Sequence, residues 1–206
     1  MENSLVYLWK RNNALPALLT GIILLQVSSF LPGAVGWSTY ATIANLVDVV
    51  SAVVGCTLVF TGIDLLGYAY LVNNEDTDGS RASQVQEMAY RLIQLTVQIK
   101  LINLSMTSAG IFAAVSWTAL WWFGVCDLLY YVLGKYPLHS GEWNWLWWTA
   151  FRLFGHVKKL LDGVPHTTAR ENTKFKTNEV MLQSAVGIIV SSVLIILQVL
   201  IRGNAV

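Results

Sequence analysis

The chain alternates long apolar runs with short polar breaks, and the runs have the length that crosses a bilayer. A hydrocarbon core of roughly 30 Å takes about 20 helical residues. The first run, residues 14–30, follows Lys10 and Arg11 and precedes Pro32 and Gly33. Its flanks are those of a secretory leader, but no small-x-small cleavage site follows, so it is read as a retained first span. The second run, residues 37–71, is interrupted only by Asn45, Asp48 and Asp64. It exceeds what a bilayer needs, so it should tilt or project. Residues 73–83 are polar and read as a loop. Between residues 84 and 134 the only charges are Glu87, Arg91, Lys100 and Asp127, and the length suits two spans. The break between them is expected at Thr107-Ser108-Ala109-Gly110, giving spans near 84–107 and 111–134. A last run, 180–201, makes a fifth.

Residues 135–179 break the pattern, with two prolines, all three histidines and seven of the thirteen basic residues. They are expected to stay outside the bilayer. Within them, residues 142–161 place Trp143, Leu146, Trp147, Phe154 and Leu161 on one helical face and Arg152, His156 and Lys159 on another. That pattern suits a helix lying in the membrane interface, with Trp143, Trp147, Arg152, Lys158 and Lys159 at lipid headgroup level. The fold expected is therefore all-α: a polytopic membrane helical bundle with about five transmembrane helices and one interfacial amphipathic helix, in a single membrane domain over residues 1–206.

Basic residues in short loops are kept cytoplasmic. In a five-span arrangement Lys10, Arg11, Arg81, Lys135, Arg152, Lys158, Lys159, Arg170, Lys174 and Lys176 fall on one side, and Arg202 alone falls near the C-terminus on the other. The N-terminus is thus expected in the cytoplasm, the C-terminus outside, and the protein in a cell (inner) membrane. Composition agrees: 55% of residues are hydrophobic and 12% charged, against about 25% charged in soluble domains. A net charge of +1 offers no field for nucleic acid, which is excluded as a partner. Cys56 and Cys126 lie inside apolar runs without paired spacing and read as small hydrophobic side chains.

Ionisable residues within spans cost about 2.5 to 3.5 kcal/mol at mid-helix and face protein or water. The third span carries two polar stripes: Glu87, Arg91, Gln94, Gln98 and Ser105 on one face, and Thr96, Lys100, Asn103 and Thr107 nearly opposite. Neither can be turned to lipid cheaply, so both faces should be covered, either centrally in this chain or by a neighbouring subunit or second copy. Counting depth from one side matches Asp48 to Lys100; counting from the other groups Asp64, Arg91 and Asp127 in a layer. The intramembrane polar network is therefore expected to hold Asp48, Lys100, Asn103, Asp64, Arg91, Gln94, Gln98 and Asp127. Such a network can fix helix register, or it can carry an ion or proton through Asp48 and Lys100. Small-residue faces at Ser51 and Gly55, at Ala109 and Ala113, and at Ser184, Gly187 and Ser191 permit close helix packing.

The chemistry-bearing residues, His139, His156 and His166 with Glu142 and Asp162, share the segment 135–179 without a recognisable catalytic spacing, so an enzyme is the less expected reading. His139, His156 and His166 lack the i,i+3 or i,i+4 spacing of helical metal ligands, and no span carries an axial histidine for haem; no cofactor or metal is expected. Trp121 and Trp122 could line a pocket for a lipid, quinone or pigment. The segment from Ile43-Ala44-Asn45-Leu46-Val47 through Val53-Val54-Gly55 to the polar loop after Leu71-Val72-Asn73-Asn74 resembles the helical hairpins of small inner-membrane components of bacterial type IV secretion and conjugation machines. The likeness covers about 40 residues, and the chain departs from those components in its span number and its Trp-rich basic segment. It implies a non-enzymatic integral membrane subunit of a larger complex, in contact with lipid and other membrane subunits. The alternative is a small ion, proton or small-molecule transporter or channel.

Overall fold

The computed structural model describes residues 13–34, 41–71, 81–134 and 177–203. Among the described residues the chain forms six helices and no strand: α1 Ala14–Ala34, α2 Ala41–Leu71, α3 Arg81–Ala109, α4 Ile111–Trp122, α5 Val125–Gly134 and α6 Thr177–Gly203. The segment 135–176, with the interfacial helix expected at 142–161, lies outside the described residues.

The helices lie over the five apolar runs, yet fewer than five meet the demands of a membrane crossing. Ile43–Gly67 and Val180–Arg202 are long and apolar enough, at 25 and 23 residues. The pair α4 and α5 makes a third only if a bend of 64° is accepted within one span. The apolar part of α1, Ala14–Ser29, is shorter. Helix α3 is long at 29 residues, but its two polar stripes keep it from qualifying.

Helix α2 is the centre of the bundle and touches all five others. Its side chains Val49, Ala52, Val53, Cys56, Val59 and Phe60 are buried with Leu101 of α3, Ala113, Trp117 and Leu120 of α4, Cys126 of α5 and Val199 of α6. The ring of Trp117 meets Phe60 edge-on, with centroids 6.2 Å apart. Sequence expects α3 to be covered on both sides, within this chain or by a neighbouring one; among the described residues the enclosed helix is α2.

Helices α1 and α2 run antiparallel in near-backbone contact. A Cβ on Gly21 would lie 2.8 Å from the Gly55 carbonyl oxygen and from the Val59 nitrogen, and one on Gly62 would lie 3.0 Å from the Ala14 carbonyl oxygen. In α2 these glycines are packing positions in one unbroken helix. Helix α3 returns antiparallel along another face of α2. Its buried stripe is Tyr90, Gln98, Leu101, Ser105 and Ala109.

Gly110 turns the chain from α3 into α4 with φ of 100°, inside the stretch where a break was expected. A Cβ there would meet the Gln198 carboxamide at 2.7 Å. That carboxamide caps α4, its Oε1 accepting from the Phe112 N–H at 3.1 Å. The second break, at Phe123 and Gly124, divides the expected fourth span; Gly124 has φ of 78° and donates to the Trp121 carbonyl at 3.0 Å, a glycine-terminated helix end.

Helix α6 docks by its small face, with Ser184, Gly187 and Ser191 buried. The Ser116 hydroxyl of α4 donates to the Ser191 carbonyl at 3.2 Å. The opposite face leaves Leu182, Ile188, Ile189, Val193, Ile196 and Leu200 exposed, an apolar band suited to lipid. Hydroxyls elsewhere fold back on their own helix: Thr57, Thr96 and Thr118 each donate to the carbonyl four residues earlier at 2.8 Å. This satisfies a polar side chain where water is scarce.

Candidate functional site

Three polar constellations interrupt the apolar bundle. The first joins three helices at the end where α2 begins. Arg202, in the last turn of α6, is ion-paired to Asp48 of α2 through Nη1 and Oδ2. Its Nη2 donates to the Ser108 carbonyl at 3.1 Å. That carbonyl belongs to the last turn of α3, where the helix leaves carbonyls without intrahelical partners. A single guanidinium thus neutralises a buried carboxylate and caps a helix, a use of its forked geometry that an ammonium could not copy.

The second constellation lies between α2 and α3, toward the other end of α2. The Tyr90 hydroxyl and the Gln94 Nε2 both donate to Asp64 Oδ1, and Gln94 Nε2 also donates to the Tyr90 hydroxyl at 2.9 Å. Asp64 is 8% exposed. Cys126 of α5 is within electrostatic reach of Asp64, of its neighbour Asp127 and of Cys56, so α5 packs beside this part of α2. Asp127 sits in the first turn of α5, where the helix dipole favours an anion. Gln183 of α6 approaches the same turn: a Cβ on Gly124 would lie 2.8 Å from its Nε2 and 3.7 Å from Asp127 Oδ2. Arg91, expected in the same layer, has its side chain outside the described positions.

The third constellation faces away from the bundle. Thr96, Lys100, Asn103 and Thr107 are all exposed along α3. Both threonines bond back to their own helix. Lys100 is not opposite Asp48, and the reason is register. Gly67 lies against the Tyr90 ring, Asp64 against Tyr90 and Gln94, and the Cys56 thiol against the Leu101 carbonyl at 3.7 Å. Continuing this antiparallel ladder sets Asp48 beside Ser108, at the end of α3, because α2 begins several residues beyond it. Lys100 falls opposite Thr57 and on the far side of α3.

Of the expected network, Asp64 and Gln94 meet directly, Asp127 lies by Gln183 at the Gly124 turn, and Gln98 is buried at 8% exposure on the inner stripe of α3. Asp48 is held by Arg202, while Lys100 and Asn103 look outward. Trp143, Trp147, Arg152, Lys158 and Lys159 lie outside the described residues, as do the three histidines. Sequence reasoning missed Arg202, Tyr90, Gln183 and Gln198. The signal was present in α6, where Gln183, Ser184, Gly187, Ser191 and Gln198 fall within one helical face. Among the described residues no group of three His, Cys, Asp or Glu could hold a metal, and Cys56 and Cys126 are free thiols. Trp121 packs partly buried against the core.

Tyr90→Phe removes a donor to Asp64 and is expected to cost about 1.5 to 3 kcal/mol, because the acceptor is a buried carboxylate. Thermal unfolding in detergent measures it, with Thr96→Val on the exposed face as reference. Equal losses from the two substitutions would show that the Tyr90 hydroxyl does not hold the carboxylate.

Comparison with protein-family models, with curated proteins and with solved structures finds no match to this chain.

Proposed function

We propose that this chain is a multi-pass membrane protein with five spans, α4 and α5 forming one bent span, and that it serves as a non-enzymatic subunit of a larger membrane complex. One observation carries the reading: α3 is buried along Tyr90, Gln98, Leu101 and Ser105 while the polar stripe through Lys100 stays open. A polar helix whose neighbour α2 is apolar enough to span is too costly to leave facing lipid, so its free side calls for another chain. The distribution of basic residues supports a cytoplasmic N-terminus and an outside C-terminus. The resemblance of residues 43–74 to conjugation-machine hairpins makes such machines the first complexes to examine.

The alternative, transport through Asp48 and Lys100, has less support, since one is tied to Arg202 and the other faces outward. Native electrophoresis of mildly solubilised membranes separates the two. The expected result is a band well above the 22.9 kDa chain that contains a second protein. A monodisperse monomer that catalyses ion flux by itself in liposomes would overturn the proposal in favour of the transporter.

A further inference from the structure

The ladder between α2 and α3 gives Lys100 a depth. The spanning stretch Ile43–Gly67 is centred on Gly55, and Lys100 is opposite Thr57, two residues away. At 1.5 Å per residue the α-carbon of Lys100 is within about 3 Å of mid-span. The nearer end of α3, at Ala109, is nine residues off, about 14 Å, beyond what a lysine stem covers by snorkelling. Lys100 makes no hydrogen bond or ion pair among the described residues. Lipid headgroups are therefore out of reach, and the ammonium needs a partner at its own depth.

No carboxylate among the described side chains offers one. Asp48, Asp64 and Asp127, the carboxylates with described side chains, are 1%, 8% and 7% exposed and all face inward. A second copy related by a two-fold axis along the membrane normal would bring Lys100 against Lys100 at equal depth, which adds repulsion. The flanks of the stripe are apolar, with Leu92, Ile93, Ile99 and Leu104 exposed on either side. A polar line bordered by apolar ridges is what one helix presents to another inside a membrane. Asn103, one turn from Lys100, adds a carboxamide that can bond across the contact.

We propose that the outer face of α3 docks a transmembrane helix of a different protein, one carrying an aspartate or glutamate near mid-membrane that pairs with Lys100. This rests on the reading of the chain as a complex subunit and names the chemistry of the partner.

The test places a photo-crosslinking residue at Leu104 in the full-length chain in its native membrane, with a second at Ile189 on the lipid-facing side of α6 as control. The expected product at Leu104 alone is a heterologous membrane protein with an acidic residue inside a span. Lys100→Gln should then lower co-purification of that protein about 30-fold or more, as expected when one member of a buried charge pair is removed. Lys100→Glu combined with acid-to-Lys in the partner should restore it. Since Lys100 is exposed and makes no bond among the described residues, both variants should keep the wild-type melting temperature in detergent, which separates docking from folding. If Leu104 crosslinks only to lipid, to residues 135–176 of its own chain or to a second copy while the larger complex persists on native gels, this inference fails and the subunit reading stands. If Lys100→Gln retains the partner, the charge pairing fails. If no complex exists at all, both fall.

Discussion

Arg202→Leu is expected to destabilise the protein by about 3 to 5 kcal/mol, because it leaves a buried carboxylate without its counter-charge. Asp48 has 2% of its side chain exposed and Arg202 has 24%, and that asymmetry makes the two single substitutions unequal. Asp48→Asn leaves the guanidinium a quarter exposed, at the end of α6, still donating to the Ser108 carbonyl. Its long stem lets the charge reach water, so the loss should be nearer about 1 to 2 kcal/mol. With both charges removed, the double variant should resemble Asp48→Asn alone, and the missing part of the sum measures the pairing. Chemical unfolding in detergent gives all three values. Lys100→Met is the control: on an exposed face without a bond it should change stability by less than about 0.5 kcal/mol. Additive losses at positions 48 and 202, or a large loss at position 100, would assign Asp48 another partner.

That Asp48 meets Arg202 and not Lys100 shows what a single sequence hides. Depth counting takes α2 and α3 to end together, whereas α2 begins several residues beyond the end of α3, and a shift of that size moves a partner by two turns. Nothing in the residues of either helix reports the offset. It is set by the contact of Gly67 with Tyr90 and by the bonds to Asp64, contacts between residues 23 to 30 apart in sequence. Arg202 was legible only as a topological charge, since its role depends on α6 lying beside the start of α2. The break at Gly110 was readable because small and hydroxyl residues interrupt an apolar stretch there. The break at Gly124 was not, since Trp121 to Leu129 reads as continuous apolar helix apart from Asp127. Only the glycine-terminated turn and the docking of Gly187 against Phe123 reveal it. Local pattern therefore carried the helices and their small faces, and long-range register decided which polar groups meet.

The α1 and α2 contact offers the sharpest test of that register. A helical glycine at an unhindered site gains about 1 kcal/mol on replacement by alanine, through helix propensity alone. At Gly21 the added Cβ would lie 2.8 Å from the Gly55 carbonyl oxygen and 2.8 Å from the Val59 nitrogen, both backbone atoms that no rotamer change can move. The helices must separate, with the loss of close packing along Leu18, Leu25 and Val59, which overpacking data put at about 1 to 3 kcal/mol. Gly21→Ala should therefore destabilise despite its better propensity, and Gly21→Leu should cost several kcal/mol or abolish folded yield. Gly55→Ala meets the reciprocal carbonyl of Gly21 at 3.0 Å and should behave alike. The double alanine variant should lose less than the sum, since helices already forced apart by the first methyl leave room for the second. Melting temperatures of the purified variants in one detergent are the measurement. A Gly21→Ala protein that melts higher than the parent would mean that the two backbones are not in contact at this position.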